Sequence, residues 1–392
     1  MKIKYPLSKP YIKKEEYLNI KKVLESGWLS YGKYAIKLEK TFGEKIRNKN
    51  VISTNSCTSG IHASLIANNI GKGDEVITSP FTFVSTINNL YQERCKINLC
   101  DINLKDCNID INDVKKKISS KTKCILPTHY GGNPFDVIGI LKLKKKFPKL
   151  KLIEDAATAI GAKINKKYIG SFNSEACVFS LYSNKIITAG EGGIIVSNKK
   201  QIIEKIKNLI FCGVNKSIYS RSNKINNWYY DVNNLGFKYN ISDLHASIGL
   251  AQIKKLDRII SLRQKLRIDY NNYFSDFYDD KILTRIETNK HNTSSNYIYC
   301  FLINPEKLKL SRNQLIQLLA KKGIASTVHY IPANKHNFYK KIFKKFKLKN
   351  SNFAFDNIIS LPFYTELKKN DIFQISNIVQ DIIKKNYVRK SV

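Results

Sequence analysis

The chain has 392 residues, of which 43% are hydrophobic and 11% aromatic, so it can form one large and one smaller domain with apolar cores. No run of about 20 apolar residues is present, and the start MKIKYPLSKPYIKKEE lacks the apolar segment of a signal peptide, so we expect a cytoplasmic protein without membrane partners. The net charge of +36 would suit nucleic-acid binding. However, only nine of the 67 basic residues are arginine, the side chain that best forms paired hydrogen bonds with bases and phosphates, so we expect no nucleic-acid partner.

Between about residues 51 and 200, short apolar runs alternate with segments of helical period. The runs that predict strands lie at 51–52, 75–77, 96–99, 124–126, 152–153, 176–181 and 194–196. The helical segments between them lie at 59–70, 110–118 and 136–147. This alternation predicts an α/β domain with a mostly parallel sheet, helices on both faces, and ligands at the carboxyl ends of the strands.

After about residue 255 the pattern changes. A long charged helix is predicted at about 242–270 and another at 311–322, followed by a terminal helix; the strand-like segments are NYIYCFLIN, ASTVHYI and IISLP. We therefore expect a smaller α+β domain. Residues 1–254 would form an N-terminal segment with the large ligand-binding domain, and residues 255–392 the small domain.

The eight cysteines predict no metal site. They form no C-x-x-C pair, none has a histidine at ligand spacing, and most lie in apolar runs, so we expect buried free thiols.

Three polar features follow successive predicted strands. The segment NSCTSG at 55–60 opens a helix, where hydroxyls and free N–H groups can bind a phosphate, although taken alone the segment favours an ordinary helix cap. Glu154 and Asp155 follow an apolar run, so one of them faces a ligand or both form a structural ion pair. Lys185 lies between two apolar runs, near the core. A phosphate site, a buried carboxylate and a core lysine together match the needs of pyridoxal phosphate.

The sequence resembles the DegT/StrS-type nucleotide-sugar aminotransferases, which are pyridoxal-phosphate enzymes of the aspartate aminotransferase fold (fold type I). The resemblance covers nearly the whole chain, beginning with the pattern Glu39-x-x-Phe42 in the first segment. The motifs follow in the family's order: GKGDEVITSPFTFVST, CDI, KCILPTHYGGNPFD, IEDAATAIGA, FSLYSNKIITAGEGG and NNLGFKYNISDLHASIGLAQ.

The resemblance implies roles for individual residues. It makes Lys185 the Schiff-base lysine, Asp155 the partner of the pyridinium nitrogen, and Phe83 the aromatic residue that stacks on the cofactor ring. The implied phosphate ligands are Thr58, Ser59 and Ser180, and the implied substrate contacts are Tyr182, His329 and Tyr330.

Some of these positions have simpler explanations. Phe83 could be a core aromatic, and His329 could be a buried histidine without contact to substrate. Asn240 matches an asparagine that reaches the cofactor phosphate of the neighbouring subunit, which implies a homodimer with shared active sites; a helix cap near Ser242 is the alternative. Thr158 stands where the family commonly has His or Gln, so no role is assigned to it.

The resemblance also implies the reaction. L-glutamate would donate its amino group, and a nucleotide-linked keto-sugar would accept it in ping-pong fashion, for surface polysaccharide or glycan biosynthesis. The segments KIITAGEGGIIV and Trp228–Asp231 resemble the branch that acts at C4 of 4-keto-(6-deoxy)hexoses. Amination at C3, a lyase or dehydratase on the same fold, and, more remotely, a non-catalytic basic protein that binds nucleic acid stay open.

Overall fold

A seven-stranded sheet lies at the centre of the larger part of the chain. The structure is a computed structural model, and it describes residues 3–214, 219 and 228–388. The strands of this sheet are β1 (Val51–Thr54), β2 (Glu75–Thr78), β3 (Lys96–Leu99), β4 (Thr122–Leu126), β5 (Lys151–Asp155), β8 (Ala176–Ser180) and β9 (Gly193–Val196). Their order in space is β1-β9-β8-β5-β4-β2-β3. The predicted mostly parallel sheet is therefore confirmed.

One strand of this sheet runs against the others. β9 pairs antiparallel with both β8 and β1, whereas the pairs from β8 to β3 are parallel. Residues 181–192 connect β8 to β9 without a helix. An antiparallel neighbour needs no helical crossover, so this connection is free to form a loop at the carboxyl end of β8.

Helices cover the sheet. They are α1 (Lys14–Glu25), α2 (Lys33–Ile46), α3 (Cys57–Ala67), α4 (Val84–Gln92), α5 (Ile111–Lys117), α6 (Val137–Lys146) and α7 (Lys200–Ile210). Almost every residue of α3 is buried, because this helix packs directly on the sheet. A Cβ at Gly60 would lie 2.7 Å from Cγ1 of Val178 on β8, so glycine permits the close approach.

The remaining elements form the smaller α+β part. They are α8 (Asp243–Lys254), α9 (Leu256–Tyr273), α10 (Ser275–Asp279), β10 (Leu283–Arg285), β12 (Tyr299–Ile303), α11 (Arg312–Lys321), α12 (Lys349–Asn357), β13 (Ile358–Leu361) and α13 (Lys369–Lys385). The strands pair in the order β10-β12-β13, and all pairs are antiparallel. The predicted long charged helix is two helices that meet at Lys255, and ASTVHYI contributes a single bridge between Thr327 and Ser360 in place of a strand.

A third small sheet connects the two parts of the chain. β6 (Lys163–Ile164) pairs with β7 (Lys167–Tyr168) and with β11 (Asn292–Thr293). Residues after 255 also enter the core of the larger sheet, among them Leu256, Ile259 and Tyr297. The domain boundary between residues 254 and 255 stays a prediction. Within the described ranges, none of the helices combines the length and the apolar character needed to cross a membrane.

Candidate active site

A cavity of about 520 Å³ opens where β5 and β8 end and α3 begins. It collects eight of the predicted site residues: Thr58, Phe83, Asp155, Ser180, Tyr182, Lys185, His329 and Tyr330. The carboxyl ends of parallel strands meet at one edge of a sheet, which is why residues so far apart in sequence come together here. Ser59 and Asn240 are not among the residues that line the cavity.

Asp155 is the last residue of β5 and is only 3% exposed. Hydroxyl groups of three threonines approach its Oδ2: Thr82 at 3.3 Å, Thr86 at 2.7 Å and Thr128 at 3.1 Å. The backbone N–H of Ala157 donates to Oδ1 at 3.1 Å. Donors on both oxygens stabilise the ionised carboxylate and fix its orientation at the cavity wall.

Glu154 faces away from the cavity and is fully buried beside His129. The ring nitrogen Nε2 of His129 lies 2.9 Å from Oε2 of Glu154, and Nδ1 accepts the backbone N–H of Phe135 at 3.3 Å. Because Nδ1 is an acceptor, the proton of a neutral ring lies on Nε2 and points to Glu154. The Glu154 carboxylate therefore makes a buried contact with His129, whereas the Asp155 carboxylate lines the cavity.

Lys185 lies in the loop between β8 and β9 and is half-buried. Its Nζ is 3.5 Å from the hydroxyl of Tyr297 and 4.6 Å from the centre of the Tyr297 ring. The Tyr297 hydroxyl donates to Oδ1 of Asn184 at 3.2 Å. Tyr297 was not identified from the sequence, because it comes from a strand-like segment more than a hundred positions away.

The N-terminus of α3 forms another wall of the cavity. Ser56 is the N-cap, and its hydroxyl accepts the backbone N–H of Ser59 at 3.0 Å. The Ser59 hydroxyl donates to Oδ1 of Asn55 at 2.6 Å, so it belongs to the cap rather than to the cavity wall. The first N–H groups of a helix have no partner within the helix, so Cys57 and Thr58 present backbone donors there.

Gly193 explains why this helix terminus lies so close to the lysine loop. A Cβ at Gly193, the first residue of β9, would lie 2.6 Å from the carbonyl oxygen of Ser56. In the same loop Gly190 has a φ of +80°, which side chains other than glycine rarely adopt. The glycine-rich stretch 190–193 therefore serves the close packing of loop and helix.

Two aromatic side chains of the cavity are open to solvent. Phe83 precedes α4 as its N-cap residue and is 59% exposed, and Tyr182 is 46% exposed. Among the described residues, the one aromatic ring that pairs with Phe83 is that of Tyr330, in a T-shaped arrangement with a centroid distance of 6.3 Å. The alternative that Phe83 is a core aromatic is wrong, since this residue is 59% exposed at the cavity.

Burial governs the titration of the remaining cavity residues. It lowers the pKa of His329 to about 4, and the nearby charge of Lys185 acts in the same direction. Burial also raises the pKa of the Tyr330 hydroxyl and of the Cys57 thiol well above their usual values. All three side chains are therefore neutral near pH 7, and His329 Nδ1 lies 2.9 Å from the hydroxyl of Ser360.

Thr158, which stands where relatives were expected to carry His or Gln, links three loops. Its hydroxyl donates to the carbonyl of His129 at 2.8 Å and accepts the N–H of Gly132 at 3.0 Å. Its carbonyl accepts the hydroxyl of Ser295 at 2.6 Å. These bonds connect the loop after Asp155 to the segment that carries Tyr297.

Asn240 lies beside α3 rather than at the cavity. It bridges to Thr54 in the backbone, and its Oδ1 is buried without a hydrogen-bond partner among the described residues. Ser242 is the N-cap of α8, because its hydroxyl accepts the N–H of His245. The alternative that Asn240 caps this helix is therefore wrong.

The donor set of the cavity fits pyridoxal phosphate. It offers an amine at Lys185, a hydrogen-bonded carboxylate at Asp155 and an open ring face at Phe83. Hydroxyl and backbone donors at Thr58 and Ser180 can take the phosphate. An amine that can bond to an aldehyde, together with a fixed anion, allows proton transfer at a carbon next to a bound amino group.

Comparison of the sequence with known proteins gives matches over nearly the whole chain. The profile of the DegT/DnrJ/EryC1/StrS aminotransferase family matches residues 10–380. An uncharacterized protein of Methanocaldococcus jannaschii is 37% identical over 383 residues, which cover 97% of this chain and 98% of that protein. The spore coat polysaccharide biosynthesis protein SpsC of Bacillus subtilis is 33% identical over 384 residues, which cover 97% of each.

Solved structures share the arrangement of strands and helices. Helicobacter pylori PseC, described as an aminotransferase involved in the biosynthesis of pseudoaminic acid, is 27% identical with a TM-score of 0.89, over 97% of this chain and 99% of that chain. Spr1654 of Streptococcus pneumoniae, solved in its PLP-form, is 24% identical with a TM-score of 0.87, over 97% and 98%. The predicted aspartate aminotransferase fold is therefore confirmed.

Proposed function

Since this chain belongs to the DegT/DnrJ/EryC1/StrS aminotransferase family, we propose that it transfers an amino group from L-glutamate to C4 of a nucleotide-linked 4-keto-(6-deoxy)hexose. The proposal rests on one observation: Lys185 and Asp155 line the same cavity at the carboxyl ends of the strands. The product would enter surface polysaccharide or glycan synthesis in the cytoplasm. The polysaccharide function named for SpsC and the sugar pathway named for PseC support this setting.

We propose pyridoxal phosphate as the cofactor. Lys185 would bind it covalently through Nζ, Asp155 would face its ring nitrogen, and Phe83 would stack on its ring. Thr58, Ser59 and Ser180 would bind its phosphate; Ser59 would first have to release its hydroxyl from Asn55 or its N–H from Ser56. When bound, the cofactor supplies an aldehyde and a protonated ring that takes up electron density from the substrate.

The remaining chemical roles fall to different side chains of the cavity. The amine of Lys185, once free, would take the proton from Cα of the amino donor and return it one step later, a general acid–base role that typically contributes about 10² to 10⁴ in rate. The hydroxyls of Thr86 and Thr128 would hold the Asp155 carboxylate in a fixed orientation. Tyr182, His329 and Tyr330 would contact the sugar, with His329 neutral, since its pKa is about 4.

The choice of C4 rests on two segments. One is KIITAGEGGIIV, which contains the lysine loop and β9. The other begins at Trp228, which is 78% exposed, and continues through the exposed Tyr229. Amination at C3 is the second candidate, and dehydration is disfavoured because Lys185 stands where the sugar dehydratases of the resembled family have histidine.

A panel of nucleotide-linked keto-sugars tests the proposed reaction. Each sugar is incubated with the protein, pyridoxal phosphate and L-glutamate, and the amino sugar and 2-oxoglutarate are measured by mass spectrometry. We expect both products with 4-keto-hexoses and neither with the Lys185→Ala variant. Products from 3-keto-sugars alone would move the reaction to C3, and 2-oxoglutarate formed with none of the sugars would refute the nucleotide-sugar acceptor.

We further propose a homodimer in which Asn240 contacts the cofactor phosphate in the partner subunit. The amide nitrogen of Asn240 carries two N–H groups; one donates to the carbonyl of Ile241 at 3.2 Å, and the other would supply the donor to the phosphate. The test mixes Asn240→Ala chains with Lys185→Ala chains. Shared sites restore activity in about half the sites of each mixed dimer, because the site with Lys185 receives the intact Asn240 from its partner. A fully active Asn240→Ala homodimer would remove the assignment.

A further inference from the structure

Tyr297 places its side chain against Lys185, although the two residues are 112 positions apart in the chain. Tyr297 lies two residues before β12, is 5% exposed and lines the same cavity. Its ring also meets the ring of His329 edge-on at a centroid distance of 6.1 Å. The side chain therefore touches the lysine on one side and an expected substrate residue on the other.

The direction of the hydrogen bonds decides how the phenol acts on the amine. The hydroxyl has one proton, and Oδ1 of Asn184 accepts it at 3.2 Å. The lone pairs of the phenol oxygen are then left for the Nζ of Lys185 at 3.5 Å. The ring face lies 4.6 Å from the same Nζ, where its negative quadrupole attracts an ammonium group. Asn184 thus makes Tyr297 an acceptor for the amine of the neighbouring residue.

The backbone around Tyr297 is attached firmly to both parts of the chain. Arg263 on α9 is buried, and its guanidinium donates to the carbonyls of Asn296 at 2.7 Å and Tyr297 at 2.6 Å. The N–H of Tyr297 donates to the carbonyl of Gly131 at 3.2 Å. The preceding Ser295 bonds to Thr158 in the loop after Asp155. The position of the phenol is therefore set relative to the carboxylate as well as to the lysine.

We propose that Tyr297 is the positioning residue for Lys185: its oxygen and ring keep the free amine in place while the lysine is not bonded to a cofactor. The proposal rests on the proposed function, which requires Lys185 to leave its covalent bond and still reach the Cα proton. A long side chain that is half-buried in a loop has many rotamers, and a hydrogen bond plus a ring contact restrict them.

The first experiment measures the half-reaction of the loaded enzyme with L-glutamate by its absorbance change. We expect the rate to fall about tenfold in Tyr297→Phe, which loses the hydroxyl but keeps the ring, and about 10²-fold in Tyr297→Leu, which loses both. The KM for the sugar should change little. Tyr299→Phe is the matched control, since Tyr299 is 1% exposed and its hydroxyl donates to Asn271 outside the cavity. Equal rates in the wild type and Tyr297→Leu would overturn the proposal.

The second experiment uses the full chain without cofactor and does not depend on activity. An amine-reactive reagent is applied at one pH, and the labelling rate of the Lys185 peptide is measured by mass spectrometry. Tyr297→Leu and Asn184→Ala should both change this rate several-fold, while Tyr299→Phe should not. Asn184→Ala covers the case in which Tyr297→Leu does not fold. Unchanged labelling in both variants would overturn the proposal, whereas wild-type protein that forms no glutamate product would refute only the proposed function.

Discussion

Asp155 and Lys185 face the same cavity, but the protein holds them in opposite ways. Asp155 is 3% exposed at the end of a strand, and three threonine hydroxyls and one backbone N–H lie within 3.3 Å of its two oxygens. Lys185 is half-buried in a loop, and its amine lies 3.5 Å from the hydroxyl of Tyr297. One group is fixed by many short bonds, and the other is restrained by a long one.

The difference corresponds to what each group has to do. A carboxylate that stabilises a cationic ring acts best when it is already oriented, because no free energy is then spent on turning it during the reaction. Dense hydrogen bonding is therefore an advantage. A lysine that forms and breaks a covalent bond has to move its amine between two positions, so strong partners would oppose the reaction. The number of short hydrogen bonds around a charged group therefore indicates whether the group stays in place.

The largest expected effect on turnover comes from removing the amine of Lys185. Lys185→Ala should lower turnover by at least about 10⁴-fold, because it deletes both the covalent attachment and the proton carrier. The protein should still fold and bind pyridoxal phosphate noncovalently, since other residues would bind the phosphate. Steady-state assays and an absorbance scan of dialysed protein measure both. Lys163→Ala is the control, as its amine lies 4.3 Å from the Tyr168 ring on β7, and comparable activity in the two variants would contradict the assignment.

The fixed group comes next. Asp155→Asn keeps the shape of the side chain and removes its charge, and we expect turnover to fall about 10³-fold without unfolding. The threonine hydroxyls can rotate to accept from the new amide, which protects the fold. Glu154→Gln makes the same change one residue earlier, where the carboxylate faces His129, and should leave turnover within a few-fold. Equal losses in the two variants would make Asp155 a structural residue.

The fold could be predicted from the sequence because it follows from local patterns. Apolar runs and helical periods placed all seven strands of the large sheet within a few residues of their positions. The reversed direction of β9 was not predicted, since an apolar run is the same in either direction and only pairing decides it. The break at Lys255 was missed because no proline or glycine separates the two helices.

The residues of the cavity could be predicted from the sequence only where the resemblance to a family assigns them a role. Lys185 and Asp155 have roles that the resemblance implies, and Thr82, Thr86 and Thr128 lie in the quoted family motifs without a role assigned to them. Tyr297 lies outside these motifs and reaches Lys185 from a segment whose local sequence is that of an ordinary strand. Side chains that support a site through long-range contacts carry no spacing signal, so three-dimensional packing is needed to find them.

The threonine hydroxyls around Asp155 test whether its dense hydrogen bonding matters. Thr86→Val removes the shortest contact, 2.7 Å, without changing the shape of the side chain, and should lower turnover about tenfold, as expected for a hydrogen bond to a charged group. Thr82→Val removes a contact of 3.3 Å and should cost less. Both are measured as kcat with saturating substrates. A larger loss in Thr82→Val than in Thr86→Val would contradict the idea that these bonds fix the carboxylate.

The smallest effect concerns His329, whose pKa of about 4 results first from burial and then from the charge of Lys185. This pKa lies below the ordinary histidine value of about 6.5. Between about pH 4 and pH 6.5, the histidine is therefore protonated in the unfolded chain and neutral in the folded chain. Stability contributed by the neutral ring is therefore complete above about pH 6.5 and is lost as the pH falls toward 4.

Denaturant unfolding at several pH values between these limits measures that loss. His329→Gln should make the dependence shallower, since the group that titrates is gone. Lys185→Ala should raise the pKa of His329 only part of the way, because burial remains, and NMR titration of the imidazole reports the change. A pKa of His329 that does not rise when Lys185 is removed would show that the amine lies farther from the ring than the structure places it, and would weaken the contrast between the fixed carboxylate and the restrained lysine.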